Sequence, residues 1–537
     1  MHNFSDLQLL NKMKSYLIYS FIFIAIVSAG CKKEFFNIPP QDALSADNFY
    51  QNTEQVQAST IALYNSPWFD WNAKASWCIS ELLSGNAHTY SPDVINFGNF
   101  SVTGDNTQLA SAWNSLYSVI AQSNALINNL QAKVPASVPA PIVNNAIGEA
   151  RFMRAMAYFY LVRTWGNVPI IENSLDYVSN YQINTNPVTD VYKFIINDLK
   201  FAEDNCDKMI RTGSVSQGKV SSGSASALLS KVYLYMRDYS NARLKAEQVI
   251  NSGEFKLYGI DISGKTYADL FKTANNNNEE SVAAIQWLGG SSYGHGNALQ
   301  SFLAFNSEIT GTGDGYGSVT PSIDLLTAFE PGDLRRKPTV MMQGDVYPEI
   351  NQAKGGYTLP AGAVAQGMPA FIKKYVVGTP ADNGGKGAAF STGNNTYLMR
   401  YADVLLIEAE AVLAGADRTA DDAALVPFNK IRKRAGLIPK TSITIQDIYQ
   451  ERRMEFVFEA DYWFDLGRLD GFNVTSHPKA IAIISNQERG IYSNTTPVVI
   501  WGQKYTPTDA NFRLPYPTTE TILNPKLLLA PVPYNFK

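Results

Sequence analysis

One arrangement in the sequence is typical of a serine nucleophile. Gly290-Ser291-Ser292-Tyr293-Gly294 matches the G-x-S-x-G pattern, follows a predicted strand, and has His477 downstream as a conceivable base. An α/β-hydrolase needs strands that alternate with helices through the whole domain, so that this turn can present the serine hydroxyl at the end of a sheet. This chain predicts consecutive helices instead. We therefore expect no catalytic residue and no enzyme activity, with a surface-tethered serine esterase as an alternative.

Three glutamates could supply the carboxyl pair that glycoside hydrolysis requires. Glu451, Glu455 and Glu459 follow one another at four-residue steps and share one face of a predicted helix. Arg452 and Arg453 are interleaved with them, which favours a charged helix face over a catalytic pair. A tethered glycosidase is therefore the second enzyme alternative.

Metal ligands are not indicated by the histidines. His2, His88, His295 and His477 show no i, i+4 ligand spacing, so the sequence predicts no metal site, and no motif predicts a cofactor. Two of the three cysteines, Cys78 and Cys206, could form a disulfide in an oxidising compartment or stay separate. We expect separate buried thiols.

The N-terminal segment carries the signature of an exported lipoprotein. An apolar run from Tyr16 to Ala29 follows two lysines and ends in small residues directly before Cys31. The residues around Cys31 resemble a lipobox, in which the cysteine sulfur accepts a diacylglyceryl group. We expect residues 1–30 to be a signal peptide, Cys31 to be the lipidated (palmitate-bearing) mature N-terminus, and residues 31–42 to form a tether. The apolar run is too short to span a bilayer.

Charge and aromatic content narrow the class of partner. The net charge of −4 and the pI near 5.7 provide no basic field for a phosphate backbone, so we expect no nucleic-acid partner. Aromatic residues make up 12% of the chain, which is more than a helical scaffold needs. Some of these rings are therefore expected to contact a ligand.

Most of the chain has the periodicity of amphipathic helices. Apolar residues recur at steps of three and four, and the segments end near Gly, Pro or Asn. The predicted helices are Ser45–Tyr64, Leu109–Leu130, Pro141–Trp165, Val188–Asp204, Ser224–Met236, Tyr239–Ile250, Tyr397–Leu413, Asp421–Ala435 and Ile445–Phe458. Only Arg237 and Asp238 separate the fifth helix from the sixth, so these two must pack as an antiparallel hairpin. Alanines 242 and 246 give this hairpin a tetratricopeptide-like pattern.

Helical periodicity lapses between about residues 275 and 396, where Gly, Asn, Pro and Ser abound. This stretch predicts long ordered loops and minor strands at Ser281–Leu288 and Phe371–Val377. Long ordered loops of this kind are usually functional. We divide the body into a helical region, residues 43–274, and a second region, residues 275–537, that contains the loop-rich insertion.

Several short stretches, taken in order, resemble the RagB/SusD family of outer-membrane nutrient-binding lipoproteins. In the first half they are Ala112-Trp113-Asn114-Ser115-Leu116-Tyr117 with Asn124, Glu149-Ala150-Arg151-Phe152, Leu161-Val162-Arg163, Gly166-Asn167-Val168-Pro169 and Gly218-Lys219. In the second half they are Arg400-Tyr401-Ala402-Asp403, Glu408-Ala409-Glu410, Asn429-Lys430-Ile431-Arg432, Ala435-Gly436-Leu437, Glu451-Arg452-Arg453, Trp463-Phe464-Asp465-Leu466, Leu514-Pro515-Tyr516-Pro517 and Asn524-Pro525. The resemblance covers nearly all of the mature chain.

The resemblance implies a mainly α fold, a SusD-like helical scaffold of about four tetratricopeptide-like hairpins with long loops and minor β-strands. It also implies a surface-exposed protein, lipid-anchored in the outer membrane, that binds a glycan and partners a SusC-like TonB-dependent transporter. A peptide ligand is the alternative, because aromatic loops suit both classes.

Two segments combine the rings and polar groups that a sugar requires. Pyranose C–H faces stack on Trp and Tyr, while hydroxyls need nearby amide or carboxylate groups. The candidate ligand-binding residues are Trp68, Asp70, Trp71, Asn72, Tyr90, Tyr293 and Tyr316. Asn86, Asn297, Gln300 and Asp314 lie among them, and Trp77 and Trp287 are expected in the core.

Overall fold

The computed structural model describes residues 49–209, 218–493 and 498–536. Cys31, the signal peptide and the tether lie outside the described residues, so the lipid anchor stays a prediction. In chain order the α-helices of the described part are α1 (Thr53–Ser59), α2 (Ile95–Gly98), α3 (Thr107–Lys133), α4 (Ala140–Trp165), α5 (Val188–Asn205), α6 (Ser222–Tyr235), α7 (Tyr239–Ser252), α8 (Leu299–Leu303), α9 (Ser307–Thr310), α10 (Ile323–Ala328), α11 (Arg336–Thr339), α12 (Tyr401–Leu413), α13 (Asp422–Arg434), α14 (Ile445–Phe456), α15 (Tyr462–Arg468), α16 (Pro478–Asn486) and α17 (Thr518–Leu523).

The strands described here are short and pair two at a time, always antiparallel. They are β1 (Ala87–His88) with β3 (Thr320–Pro321), β2 (Ser281–Ile285) with β8 (Thr396–Arg400), β4 (Val340–Met341) with β7 (Phe371–Ile372), β5 (Val346–Tyr347) with β6 (Tyr357–Thr358), β9 (Arg418–Thr419) with β10 (Ile443–Thr444), and β11 (Ile491–Tyr492) with β12 (Val499–Trp501). The prediction of a mainly α fold with minor strands is confirmed.

The long helices form one continuous row. Each of α3 to α7 packs on the next, and α12 then packs on α7 and is followed by α13. The α6–α7 hairpin forms as predicted: Ala242, Ala246 and Val249 are buried on α7, facing the buried stripe of α6. Because α12 continues the row across residue 275, the division of the body into regions 43–274 and 275–537 stays a prediction.

Two predicted helices begin too early. The helix predicted from Ser45 is not helical at residues 49–52, and the helix predicted from Tyr397 begins at Tyr401. Residues 396–400 form strand β8 instead and pair with β2, with Ser281 opposite Arg400. Their buried apolar side chains fit the period of a helix and also that of a strand. Pairing with β2, which is distant in sequence, makes the segment a strand. None of the helices in the described part of the chain combines the length and apolarity that crossing a bilayer requires.

The two thiols are separate and buried, as expected. Burial raises the pKa of both Cys78 and Cys206, so neither is a ready thiolate.

Candidate functional site

The loop that carries Tyr293, residues 288–296, is held by a second loop, residues 387–393. The Gly290 N–H donates to the Ser391 carbonyl at 2.9 Å, and Asn297 and Thr392 exchange backbone hydrogen bonds of 2.8 and 3.0 Å. Gly289 meets Gly393 so closely that a Cβ on Gly289 would lie 3.0 Å from the Gly393 nitrogen. The two loops therefore support each other, and the Tyr293 side chain, 74% exposed, stands on a fixed backbone.

The second loop carries Phe390, which has a left-handed backbone with φ of +58°. Its N–H donates to the Ser301 hydroxyl oxygen at 2.8 Å, and that hydroxyl donates in turn to the buried Asp314 carboxylate. A left-handed phenylalanine is uncommon and is kept only where neighbouring groups hold it. Ser301 on α8 and Asp314 provide that support.

A third segment, which carries Tyr316, is hydrogen-bonded through its backbone to α8 and to the residue after α8. The N–H groups of Tyr316, Gly317 and Ser318 donate to the carbonyls of residues 301, 304 and 302 at 2.8–2.9 Å. Tyr316 is 53% exposed. Three backbone hydrogen bonds thus fix the backbone that carries this ring.

Together with Phe69, these segments form one continuous cluster of rings, which we call the aromatic surface: Tyr293 and Tyr316 are exposed, Phe302 and Phe390 are half-buried, and Phe69 is buried against Tyr293. Tyr293 contacts Phe69 with centroids 4.8 Å apart and Phe390 with centroids 6.1 Å apart, and Phe390 stacks on Tyr316 at 5.8 Å. Phe302 contacts both Tyr316 and Phe390. The predicted residues Tyr293 and Tyr316 are therefore brought together, with Phe390 between them.

Tyr90 lies beside this aromatic surface. The Gln366 side chain accepts from the Tyr90 N–H at 2.8 Å and donates to the Gly317 carbonyl at 3.0 Å, so one amide ties Tyr90 to the Tyr316 segment. The Tyr90 ring is 39% exposed and has the His88 ring edge-on at 4.7 Å. Burial lowers the pKa of His88 to about 4, so a neutral imidazole supports the phenol.

The other predicted ligand residues divide into exposed and buried. Asp70, next to Phe69, is exposed, and partial burial raises the pKa of its carboxyl. Trp68, Trp71 and Asn72 are buried, so the prediction that they contact a ligand is wrong. The Trp68 indole N–H donates to the Leu63 carbonyl at 2.9 Å, and Asn72 donates to the Asn297 side chain at 3.1 Å.

These three residues are buried because the chain around them forms short helical turns. Short helical turns, Ser66–Trp68, Trp71–Ala75 and Cys78–Leu82, replace the expected open loop, and two of them pack on α3. Trp68 and Trp71 both point at Tyr160 of α4, with ring centroids 6.4 and 4.5 Å away. Trp77 and Trp287 lie in the core as expected.

Comparison with known proteins assigns the chain to a family. A family model described as the SusD family matches residues 279–532, and one described as starch-binding and associating with the outer membrane matches residues 40–234. A SusD-like protein of Bacteroides ovatus is 36% identical, covering 95% of this chain and 97% of that protein. The chain belongs to the SusD family. The starch-binding protein SusD of Bacteroides thetaiotaomicron is 24% identical, covering 61% of this chain and 65% of that protein.

Solved SusD-like structures share the fold. A crystal structure with xylogluco-oligosaccharide is 34% identical to the chain, with a TM-score of 0.80, and covers 90% of this chain and 99% of that one. A SusD superfamily protein from Parabacteroides distasonis, 25% identical, has a TM-score of 0.67 over 88% of this chain and 98% of its own. A laminarin-binding SusD-like protein, 23% identical, has a TM-score of 0.68 over the same shares of the two chains. The predicted SusD-like helical scaffold is confirmed.

The enzyme-like motifs have structural roles in this SusD-family chain. Ser292 lies on the loop beside Tyr293, whereas His477 precedes α16 and stacks on Phe512 with ring centroids 4.2 Å apart. The His477 backbone N–H donates to Asp509 at 2.6 Å. No contact among the described residues joins Ser292 to His477, so the spacing of a nucleophile and its base is not formed.

Glu451 and Glu455 of α14 belong to a buried ion-pair network, and Glu459 joins it from beyond the end of the helix at Phe456, so the three glutamates do not share one helix face. Arg400 lies 2.8 Å from Glu455 and 2.7 Å from Glu459, and Arg335 lies 2.6 Å from Glu451. Burial alone would raise the pKa of Glu455, but Arg434, Arg400 and Arg335 outweigh it and lower that pKa far below its usual range, so Glu455 is no proton donor. A charged face of this helix was expected, and the structure shows that its charged side chains are buried.

Sequence reasoning missed three members of the aromatic surface: Phe69, Phe302 and Phe390. Phe390 stands alone in a stretch rich in Gly, Ser and Asn, where a single large ring has few core partners nearby in sequence. A single large ring among small and polar residues could have been predicted as a ligand-contacting ring. Phe69 and Phe302 lie beside residues of the core and carried no such signal, because only the tertiary fold sets their contacts with Tyr293 and Tyr316.

Proposed function

We propose that the chain is a cell-surface glycan-binding lipoprotein that captures oligo- or polysaccharide and delivers it to a partner SusC-like TonB-dependent outer-membrane transporter. The aromatic surface is the observation that carries the proposal. Exposed rings on rigid loops suit the C–H faces of sugars, because little conformational entropy is lost on binding. Asp70 and Ser292 are exposed close by and can bond to hydroxyl groups.

A neutral glycan fits the charges around this surface. Lys74 lies 5.0 Å over the Phe302 ring, but its charge is paired with Asp93 at 2.7 Å. Asp70 adds an exposed carboxyl, which would repel a uronic acid or sulfated sugar. The relative with bound xylogluco-oligosaccharide makes xyloglucan the first polysaccharide to test, followed by laminarin and starch.

The proposal is binding without cleavage. Glu455 is held ionised by arginines, and Ser292 has no base in contact among the described residues. An exposed row of rings without an acid pair binds a chain and leaves its linkages intact. Lipid on Cys31 would keep the protein at the outer membrane beside its transporter, and residues 31–42 would act as the hinge of the tether.

The test is affinity electrophoresis of the mature chain in gels that contain xyloglucan, laminarin or starch. We expect the wild type to be retarded by at least one polysaccharide and Tyr293→Ala/Tyr316→Ala to lose most of that retardation. Tyr181→Ala is the matched control, because Tyr181 is also an exposed tyrosine (63%) but lies outside the aromatic surface. Unchanged retardation of the double variant would refute the aromatic surface as the binding site.

A further inference from the structure

A hairpin beside Tyr90 exposes a run of large apolar side chains. Strands β11 and β12 form it, and the exposed fractions of Val499, Ile500 and Trp501 are 41, 68 and 52%. Trp501 makes no ring contact and no side-chain hydrogen bond within the described part of the chain. The Trp501 side chain therefore contributes little to the packing of the fold. An exposed tryptophan is uncommon in a folded monomer, so its presence here needs another explanation.

The hairpin is anchored to the body at its base. The Tyr492 hydroxyl, on a buried ring, donates to the Pro321 carbonyl at 2.9 Å, and the Arg489 N–H donates to the Gln503 carbonyl at 2.8 Å. Gly490 allows the two chain segments to approach, because a Cβ there would lie 1.9 Å from the Trp501 carbonyl oxygen. Trp501 thus stands on a fixed backbone, as Tyr293 and Tyr316 do.

Trp501 is one side chain away from Tyr90. Ile491 is its cross-strand partner, next to a register shift after which Tyr492 pairs with Val499. Side chains directly opposite in an antiparallel pair lie on the same face about 5 Å apart. Tyr90 and Ile491 meet over Gly367, where an added Cβ would lie 3.1 Å from Tyr90 Cε2 and 3.7 Å from Ile491 Cδ1. The side chains therefore follow in the order Trp501, Ile491 and Tyr90, and Gln366 joins the Tyr90 backbone to Gly317, the residue after Tyr316.

We propose that Trp501 is a second stacking position for the glycan, which extends the aromatic surface past Tyr90 and lets the protein hold a longer segment of polysaccharide. This inference rests on the proposed function. The occupant is the same carbohydrate chain, because Ile491 links Trp501 to the exposed ring of Tyr90 beside the aromatic surface. Short oligosaccharides fill the surface around Tyr293, Phe390 and Tyr316, and only longer ones reach Trp501.

Titration calorimetry with xyloglucan oligosaccharides of increasing length, and with polymeric xyloglucan, laminarin and starch, tests this order. We expect Trp501→Ala to weaken binding of polymer and of the longest oligosaccharide by about three- to tenfold, the range of one lost aromatic contact. The shortest oligosaccharide that binds should be unaffected. Tyr293→Ala should weaken binding at every length, and Trp501→Phe should recover much of the loss.

Ile500→Ala is the matched control, since this neighbour is more exposed than Trp501 but is not the cross-strand partner of Ile491. Equal affinity of Trp501→Ala and wild type for polymer would overturn the inference, as would an equal loss at all lengths or the same loss in Ile500→Ala. If Tyr293→Ala weakens binding and Trp501→Ala does not, only the inference fails. If the wild type binds none of the three polysaccharides, the proposed function fails with it.

Discussion

At the scale of the residue, two neighbouring buried glutamates, Glu408 and Glu410, differ in whether an arginine neutralises their charge. Glu410 on α12 pairs with both terminal nitrogens of Arg468, at 2.5 and 2.9 Å. Glu408 is also buried, but its nearest cation is the half-exposed Arg243 at 3.6 Å, and its Oε2 has no hydrogen-bond partner among the described residues. Burial, followed by repulsion from Glu247, raises the pKa of Glu408 to about 7.

The pKa of Glu408 predicts a pH-dependent cost to stability. The folded chain binds the proton more tightly than the unfolded chain, so stability is lost as pH rises from about 4.5 to 7. We expect Glu408→Gln to raise the free energy of unfolding at pH 8 by about 1 kcal/mol, with a smaller gain at pH 5. Urea denaturation at the two pH values measures the difference.

Glu410→Gln is the matched variant for this experiment. It removes one partner of a buried ion pair and should lower the free energy of unfolding by about 3 kcal/mol. A Glu408→Gln variant that is destabilised at pH 8 as strongly as Glu410→Gln would contradict the assignment. The sequence shows Glu408-Ala409-Glu410 as two similar acids, and only the position of Arg468 in the folded chain separates them.

At the scale of elements, the loops around the aromatic surface depend on a few buried polar groups. Gln300 on α8 accepts from the N–H groups of Val377 and Gly378 at 2.7 and 3.0 Å, and Ser301 holds Phe390. Buried hydrogen bonds of this kind fix loops that have almost no apolar core of their own. The rings of the aromatic surface are therefore preorganised by α8.

Ser301→Ala is expected to loosen the second loop. The change leaves the Phe390 N–H and the Asp314 carboxylate without their shared partner, so hydrogen exchange across residues 387–393 should speed up. Glycan affinity should fall by about three- to tenfold, because the loop must be ordered on binding. Ser123→Ala is the control, since this buried hydroxyl on α3 has no partner among the described residues and its removal should change neither quantity. Unchanged exchange in Ser301→Ala would show that other contacts position Phe390.

The same elements show what could be predicted from the sequence. Helices such as α3, α4 and α5 were placed to within a few residues, because their apolar period is a local property. Tyr90, Tyr293 and Tyr316 were found as exposed rings, yet Trp68 and Trp71 were taken for loop residues when they pack in helical turns against α4. Trp501 was not among the predicted residues, because the apolar sequence Val498-Val499-Ile500-Trp501 does not show whether its ring is exposed. Burial of a ring is set by tertiary contacts, which one sequence does not display.

At the scale of the whole molecule, a buried ion-pair network lies where the helical row continues past the loop-rich stretch. Arg400 closes β8 and directly precedes α12, the helix that packs on α7. Its guanidinium lies 2.6 Å from Glu280, 2.8 Å from Glu455 and 2.7 Å from Glu459. The network therefore connects β8, α14 and Glu280, the residue before β2, with the start of α12, the helix that continues the row from residues 43–274 into residues 275–537.

Arg400→Met tests whether these regions unfold together. Loss of the cation leaves several buried carboxylates short of positive charge and should lower the free energy of unfolding by about 3–5 kcal/mol. Because α12 and α7 share one helical row, amides of α4 and α14 should lose hydrogen-exchange protection in parallel in mild urea. Arg418→Met removes an exposed arginine and should change stability by less than about 0.5 kcal/mol. If Arg400→Met lowered protection in α14 and left α4 unchanged, residues 43–274 would fold independently, and the continuous row would be a contact between two domains instead of one cooperative body.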